Sequence, residues 1–97
     1  NRNSVINQFE GGFIFSLCCS LKGSISFKDR ASMQTNFDKY GVARMADAPK
    51  ILQVHLVESD EKPTGVGEPP VPPVAPALAN AIFAATGKRY REMPIKI

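Results

Sequence analysis

The stretch TGVGEPPVPPVAPALANAIFAATGKR, from Thr64 to Arg89, opens with two glycines and a carboxylate and continues through prolines into an alanine-rich segment. Glycine lets another backbone or a ligand come close, whereas proline removes backbone freedom. The carboxylate between them, Glu68, is therefore either a solvated loop residue or a positioned acid–base group. GxGE alone is a weak pattern that leaves both interpretations open.

The same stretch sets the local fold. Neither a helix nor a central strand tolerates this density of proline and glycine, so residues 58–75 are predicted to form a loop that carries the GVGE motif. Pro76 suits the first turn of a helix over residues 75–87, and Gly87 suits the position just after its end. A helix with so few polar side chains is expected to be covered on several sides.

A second helix is predicted near the start of the chain. Asn3 or Ser4 is a suitable cap, apolar residues then recur at helical spacing, and Gly23 is a suitable end. Gly11 and Gly12 lie in its interior, where each costs about 1 kcal/mol. Such glycines indicate that something approaches the helix backbone closely, or that the helix starts later.

Strands are predicted between the two helices. Residues 24–36 have the pattern of a hairpin with its turn at residues 28–30, and residues 37–50 are irregular. Residues 51–59, ILQVHLVES, are almost continuously apolar, which is typical of a strand covered on both faces. The predicted fold is α+β, with a mixed small sheet between an N-terminal helix and a C-terminal alanine-rich helix.

Composition narrows the class of protein. A chain of 97 residues with 43% hydrophobic and 22% charged residues suits one globular domain. The net charge of +3 is scattered rather than gathered in a basic stripe, so nucleic-acid binding is disfavoured. No apolar run reaches the length of a transmembrane helix. The chain does not begin with Met, which suggests a piece of a longer protein.

Several conventional sites are not supported. Cys18 and Cys19 are adjacent and have no second pair to complete a disulfide framework or a metal site, so the compartment stays open. His55 stands alone in the predicted strand and is interpreted as structural, with no metal ligands assigned. No serine or cysteine has the setting of an activated nucleophile.

Two candidate interaction features leave a non-enzymatic alternative open. The proline run PPVPP, residues 69–73, contains a P-x-x-P pattern of the kind that SH3-like domains bind. The basic patch GKRYR, residues 87–91, is the only local cluster of positive charge. A stand-alone binding module that uses either feature is the alternative to an enzyme.

The motif NQFEGG, residues 7–12, is the second candidate site. On a helix, Gln8 followed by two glycines would present an amide and bare backbone to a flat polar ligand. The simpler interpretation is a surface glutamine with glycines that permit tight packing.

Four segments together, QFEGGFIFSL, NFDKYGVARMADAP, VHLVES and GVGEPPVPPVAPALANAIFAATGKRYREMPI, resemble the C-terminal part of the molybdenum-cofactor-binding subunit of the xanthine oxidase family. The likeness is to isoquinoline 1-oxidoreductase β-subunits and aldehyde oxidoreductase large subunits. It covers residues 5–95, with the motifs in the family's order, although FSLCCSL departs from the usual glycine- and alanine-containing version of that helix.

The resemblance implies a molybdenum-dependent hydroxylase of N-heterocycles or aldehydes that takes its oxygen from water. By the same resemblance, Glu68 is the general base. The residues implied to contact the cofactor are Gln8, Gly11, Gly12, Thr64, Gly65, Val66 and Gly67.

The resemblance also implies what lies outside the chain. Residues 1–97 are expected to be a single C-terminal fragment of a molybdopterin-binding domain, inactive alone. The implied cofactor is molybdopterin, in its cytosine dinucleotide form. The implied partners are the rest of the subunit, a small iron–sulfur subunit that carries [2Fe–2S] clusters, and a small aromatic or aldehyde substrate.

Overall fold

The computed structural model describes all 97 residues. It contains two helices, one two-stranded sheet and one turn of 3₁₀ helix, and it measures 53 × 34 × 25 Å. In chain order the elements are α1 (Arg2–Leu21), β1 (Phe27–Lys28), β2 (Ala31–Ser32), the 3₁₀ turn (Met45–Asp47) and α2 (Val74–Thr86). These elements are consistent with the α+β class.

Helix α1 begins earlier and ends earlier than the sequence predicted. The cap is Asn1, whose side-chain oxygen accepts hydrogen bonds from the backbone N–H groups of Asn3 and Ser4. The helix runs without interruption through both internal glycines and ends at Leu21, before Gly23. The predicted caps Asn3 and Ser4 are therefore donors to the cap rather than the cap itself.

The predicted hairpin is confirmed, but it is short. Strands β1 and β2 pair antiparallel, with Phe27 opposite Ser32 and Lys28 opposite Ala31. The two turn residues, Asp29 and Arg30, have positive φ angles of 50° and 67°. Such a two-residue turn matches the right-handed twist of the flanking strands.

The prediction of a third strand is wrong for this structure. Residues 51–59 belong to no sheet, and the backbone of residues 49–67 makes no backbone–backbone hydrogen bond. From residue 51 to residue 57 the side chains alternate between exposed and half-buried, which is the period of an extended chain. The sheet is thus a plain antiparallel hairpin rather than a mixed sheet, and His55 is exposed instead of lying in a core.

Helix α2 matches its prediction within one residue at each end. Pro73 precedes it, and Gly87 follows it with a left-handed φ of 72°. The Gly87 N–H donates to the Phe83 carbonyl at 2.8 Å, which completes the last turn. Beyond the helix, the Arg89 guanidinium lies 3.8 Å from the centre of the Phe83 ring and donates to the Asn80 side chain at 2.8 Å.

The buried centre of the molecule is small and lies where α1 meets the proline loop, α2 and the C-terminal tail. Only five residues are buried, namely Ser16, Ser20, Pro70, Val74 and Ile95. The radius of gyration is 16.2 Å, against about 12.5 Å for a compact domain of this length. The chain therefore folds around one local contact region and leaves most of its apolar side chains partly exposed.

Neither helix combines the length and the apolar character that crossing a membrane requires.

Candidate functional site

The structure brings the two predicted motifs together. A methyl group on Gly67 would lie 3.7 Å from Oε1 of Gln8, so the amide of α1 faces the loop residue that precedes Glu68. These residues are about sixty positions apart in the chain. Their proximity is the outcome expected if QFEGG and GVGE serve one site.

Two successive turns fix the backbone on the C-terminal side of Glu68. The Val71 N–H donates to the Glu68 carbonyl at 2.9 Å, and the Val74 N–H donates to the Val71 carbonyl at 3.5 Å. Each turn has two prolines at its centre, residues 69–70 and 72–73. Because proline fixes φ, this chain segment has little freedom to move the carboxylate.

Helix α1 holds these turns by close packing at Gly12. A methyl group at this position would lie 2.5 Å from Cγ of Pro70 and 3.3 Å from the Gly67 carbonyl oxygen. No real side chain fits at 2.5 Å, so glycine is what allows the loop to approach the helix.

A part-buried hydrogen bond adds a second attachment one helical turn further along. The Ser16 hydroxyl donates to the Val71 carbonyl at 2.6 Å, at the junction of the two turns. A further turn along, the Ile95 N–H donates to the Ser20 carbonyl at 2.7 Å and joins the C-terminal tail to α1. Neither serine was predicted from sequence. The signal was present, since Gly12, Ser16 and Ser20 are small residues at intervals of four.

The Glu68 carboxylate is exposed and makes no hydrogen bond or ion pair within the chain. Its backbone is fixed while its side chain has no internal partner. A free carboxylate on a constrained backbone is able to accept a proton from a ligand placed against it.

The remaining predicted site residues differ in how open their surroundings are. Gly11 and Gly65 have nothing within 4 Å of where a side chain would begin, so their backbone is open to an approaching group. Thr64 is exposed and Val66 is half-buried. Gly12 differs from Gly11, because Pro70 fills the space beside it. The assigned cofactor contacts of all these residues stay predictions.

Charged side chains stabilise the region around α1. The Lys22 ammonium and the Asp47 carboxylate are 2.5 Å apart. The hydrogen bond from Lys22, followed by the one from the Arg44 backbone, holds the pKa of Asp47 below its ordinary value. Arg2 pairs with Glu58 at the other end of the helix, where both side chains are largely exposed. Exposed pairs of this kind contribute little.

No three histidine, cysteine or carboxylate side chains converge where they could hold a metal ion. The donors near Glu68 are one amide, Gln8, and bare loop backbone. This set suits hydrogen bonding to an organic ligand with polar edges. The observed residues therefore fit contact with a flat polar cofactor rather than direct ligation of a metal.

Sequence comparison supplies relatives over nearly the whole chain. A nicotinate dehydrogenase subunit of Pseudomonas putida is 37% identical over 98% of the chain. The β-subunit of isoquinoline 1-oxidoreductase of Brevundimonas diminuta is 34% identical over 92%, and the aldehyde oxidoreductase molybdenum-binding subunit PaoC of Escherichia coli is 32% identical over 100%. By sequence, the chain belongs with the molybdenum-binding subunits of the xanthine oxidase family.

The resemblance found in the motifs is thus confirmed by alignment over nearly the whole chain, although no family model matches it. The chain spans 11% of the isoquinoline oxidoreductase β-subunit, 8% of the nicotinate dehydrogenase polypeptide and 14% of PaoC. One further relative, 36% identical, is named as a membrane-bound aldehyde dehydrogenase of Gluconacetobacter polyoxogenes with pyrroloquinoline quinone. The relatives therefore share oxidoreductase chemistry while their names differ in substrate and cofactor.

Proposed function

We propose that this chain is the C-terminal segment of a molybdenum hydroxylase subunit, and that Glu68 is the general base of the reaction. The overall reaction replaces C–H by C–OH on an N-heterocycle or aldehyde, with oxygen from water and release of two electrons and two protons. The oxidoreductase class follows from the relatives. The role of Glu68 is supported by its free carboxylate and by its place directly after Gly67, the loop residue that the Gln8 amide faces.

That juxtaposition is the observation that carries the proposal. A general base must be held within hydrogen-bond reach of its proton, and an error of about 1 Å can cost 10²-fold in rate. The two proline turns and the contact between Gly12 and Pro70 provide such constraint for the backbone of Glu68. Glu68 removes the proton from the water-derived oxygen that is added to the substrate carbon.

The proposed cofactor is molybdopterin in its cytosine dinucleotide form, which when bound supplies the two-electron redox chemistry. Gln8 hydrogen-bonds its polar edge, the bare backbone at Gly11 and Gly65 permits its approach, and Gly67 contacts it beside Gln8. Thr64 and Val66 belong to the same contacting loop. Gly12 acts on the cofactor indirectly, because it allows Pro70, and with it the loop that carries Glu68, to pack against α1.

The other participants lie outside the chain. The rest of the subunit supplies the remaining cofactor contacts and the substrate pocket, and a small subunit with [2Fe–2S] clusters receives the electrons. The isolated 97-residue segment is inactive under this proposal. Its few buried residues agree with a segment that depends on a larger body.

The non-enzymatic alternative receives no support from the geometry. Pro70, at the centre of the P-x-x-P pattern, is buried against Gly12, and its neighbours lie in turns rather than in an exposed polyproline helix. In the basic patch, Arg89 already binds Phe83 and Asn80. Both features are thus used inside the fold.

The decisive experiment is Glu68→Gln in the intact subunit assembled with its partner. We expect hydroxylation to fall by about 10²–10⁴-fold, since that is the range of one general base. Molybdenum content and released pterin should stay at the wild-type level, because the amide keeps the size of the side chain. Incorporation of ¹⁸O from labelled water in the wild type identifies the oxygen source.

Glu61→Gln is the matched control, because Glu61 is an exposed acid of the same loop whose side chain makes no hydrogen bond or ion pair in the chain. It should leave turnover unchanged. Near-normal hydroxylation by Glu68→Gln would remove Glu68 from the role of base. A purified enzyme that contains pyrroloquinoline quinone and no molybdenum would contradict the proposed cofactor.

A further inference from the structure

The backbone of residues 51–57 carries hydrogen-bonding groups that nothing in the chain satisfies. None of these residues donates or accepts a backbone–backbone hydrogen bond, and no side chain bonds to their backbone. Almost all backbone groups in folded proteins are paired with protein or with water. Within this chain only water can pair these groups, so the segment has the form of a β-strand that lacks neighbours at both edges.

One face of this segment is already packed. Leu52, Val54 and Leu56 are half-buried and, with Phe9 and Phe13 of α1, line an apolar cleft of about 280 Å³. This contact fixes which face of the segment points toward α1. A slip of the extended chain by one residue would place Ile51, Gln53, His55 and Val57 there instead.

The other face and both edges are open. At its two ends, Ile51 is 78% exposed and Val57 is 90% exposed. Natural proteins protect open, apolar strand edges with charges, proline or a covering element. Between Ile51 and Val57 the segment has no proline and no Asp, Glu, Lys or Arg. Its sequence is that of a strand with neighbours.

The amount of exposed surface points the same way. The chain exposes 7962 Å², whereas a compact protein of this mass exposes about 5,500 Å². The excess is about 2,500 Å² on this chain alone, and a permanent interface buries about 2,000–5,000 Å² summed over both partners. The curated relatives place segments like this chain in polypeptides of which it makes up only 8–14%.

We infer that residues 51–57 form a docking strand, to which the rest of the same molybdenum-binding subunit adds a β-strand through main-chain hydrogen bonds. This inference depends on the part of the proposed function that makes the chain a segment of a longer subunit. It does not depend on the role of Glu68. The incoming strand carries apolar side chains, because it lies against the exposed ends of the segment.

A second copy of the chain is a poorer occupant. Edge-to-edge pairing of two seven-residue strands covers one edge of each and buries much less than the excess surface. The rest of the subunit, in contrast, is large enough to pair both edges and to cover the open face. The docking strand would thus hold α1, and with it Gln8, against the body that completes the site.

Hydrogen–deuterium exchange on the intact wild-type subunit, read at single residues, tests the inference. Successive amides of an extended strand point to opposite edges. One added strand should protect either the odd-numbered or the even-numbered amides of residues 51–57, and two should protect all of them. We expect protected amides to exchange at least about 100-fold more slowly than an unstructured chain.

Asp60 and Lys62 provide the internal control, because they are exposed, their amides make no hydrogen bond in the chain, and they should exchange quickly in the same protein. Fast exchange throughout residues 51–57 would overturn the inference. So would protection that disappears on dilution, since that outcome would identify a second copy as the occupant. Exchange measured on Glu68→Gln should match the wild type, so failure of the docking strand and failure of the proposed base are seen separately.

Discussion

Two segments contact the same helix in different ways. The loop of residues 67–74 packs against Gly12 of α1 and accepts a hydrogen bond from Ser16. Two turns within the loop fix its own backbone. Residues 51–57 contact α1 only through half-buried apolar side chains, with their backbone unpaired. The first segment has its position fixed by the chain itself. The second segment has one face fixed against α1, and the backbone groups along its two edges have no hydrogen-bonding partner within the chain.

This difference between the two segments separates structure that the chain forms by itself from structure that requires a neighbouring element. A catalytic group must be positioned accurately, so the proposed role of Glu68 requires the short-range constraint that its segment has. A sheet edge needs only a compatible neighbour and gains its hydrogen bonds when that neighbour arrives. Breaking the contact between α1 and the loop of residues 67–74 should disturb the proposed site directly. Hydrogen bonding of residues 51–57 should instead change only when the rest of the subunit is present.

The largest expected effect comes from Gly12→Ala. The new methyl group would meet the Pro70 ring at 2.5 Å, and overpacking of this kind costs about 1–3 kcal/mol. The higher helix propensity of alanine offsets up to about 1 kcal/mol of this cost and keeps α1 intact. The loop is therefore expected to move away from the helix. Faster exchange of the Val71 amide and a lower turnover number in the intact subunit would show it.

Gly11→Ala is the matched control on the same helix. Nothing lies within 4 Å of the added methyl group, so exchange at Val71 should stay as in the wild type. If Gly11 faces the cofactor as proposed, this variant should instead lower cofactor content. Equal effects of the two substitutions on Val71 exchange would show that the contact with Pro70 does not hold the loop.

A smaller effect is expected from Ser16→Ala. It removes the part-buried hydrogen bond to the Val71 carbonyl, and the loss of one such bond costs about 0.5–1.5 kcal/mol. The Val74 amide, which donates to the same carbonyl, should exchange up to roughly 10-fold faster, because each 1.4 kcal/mol is a factor of ten.

Ser20→Ala is the corresponding control. Ser20 is equally small and even more buried, but its hydroxyl bonds only the Ser16 carbonyl within the same helix. Its loss should leave Val74 nearly unchanged. If both variants change the Val74 amide alike, the bond between helix and loop has no special role.

The smallest effect concerns pH. The pKa of Asp47 is lowered from its ordinary 3.8 by Lys22, so the pair stabilises the folded state above that value. The contribution is lost as the pH falls through the lowered pKa of the folded state. Exchange of the Ala48 amide, corrected for intrinsic rate, should rise in strongly acidic solution. Asp47→Asn should abolish the pH-dependent part, and an unchanged pH response in that variant would contradict the assignment.

Much of the fixed region was predictable from sequence, because its signals are local. Proline density indicated the loop, Pro76 and Gly87 bracketed α2, and the alternation around Phe27 indicated the hairpin. The proximity of Gln8 to the GVGE loop followed from the family resemblance rather than from periodicity. Its geometric confirmation needed the folded chain.

The points at which the structure departs from the sequence predictions, or adds to them, have identifiable physical causes. Asn1 is the cap because its side chain reaches two N–H groups at once. Residues 51–59 have the composition of a strand, but pairing requires a neighbour that composition cannot supply. At Gly12, whose cofactor contact stays a prediction, sequence shows that a glycine permits close approach without showing which group of the chain approaches. Here the approaching group is Pro70.

One column of α1 carries Gln8, Gly12, Ser16 and Ser20, and each step along it advances the helix by about 6 Å. The separation between the amide of Gln8 and the turn that carries Glu68 is therefore set by the rise of a single helix. Errors made elsewhere during assembly cannot stretch or compress that distance. Such errors should change how many chains reach the folded arrangement, and leave the spacing between Gln8 and the GVGE loop unchanged in the chains that do.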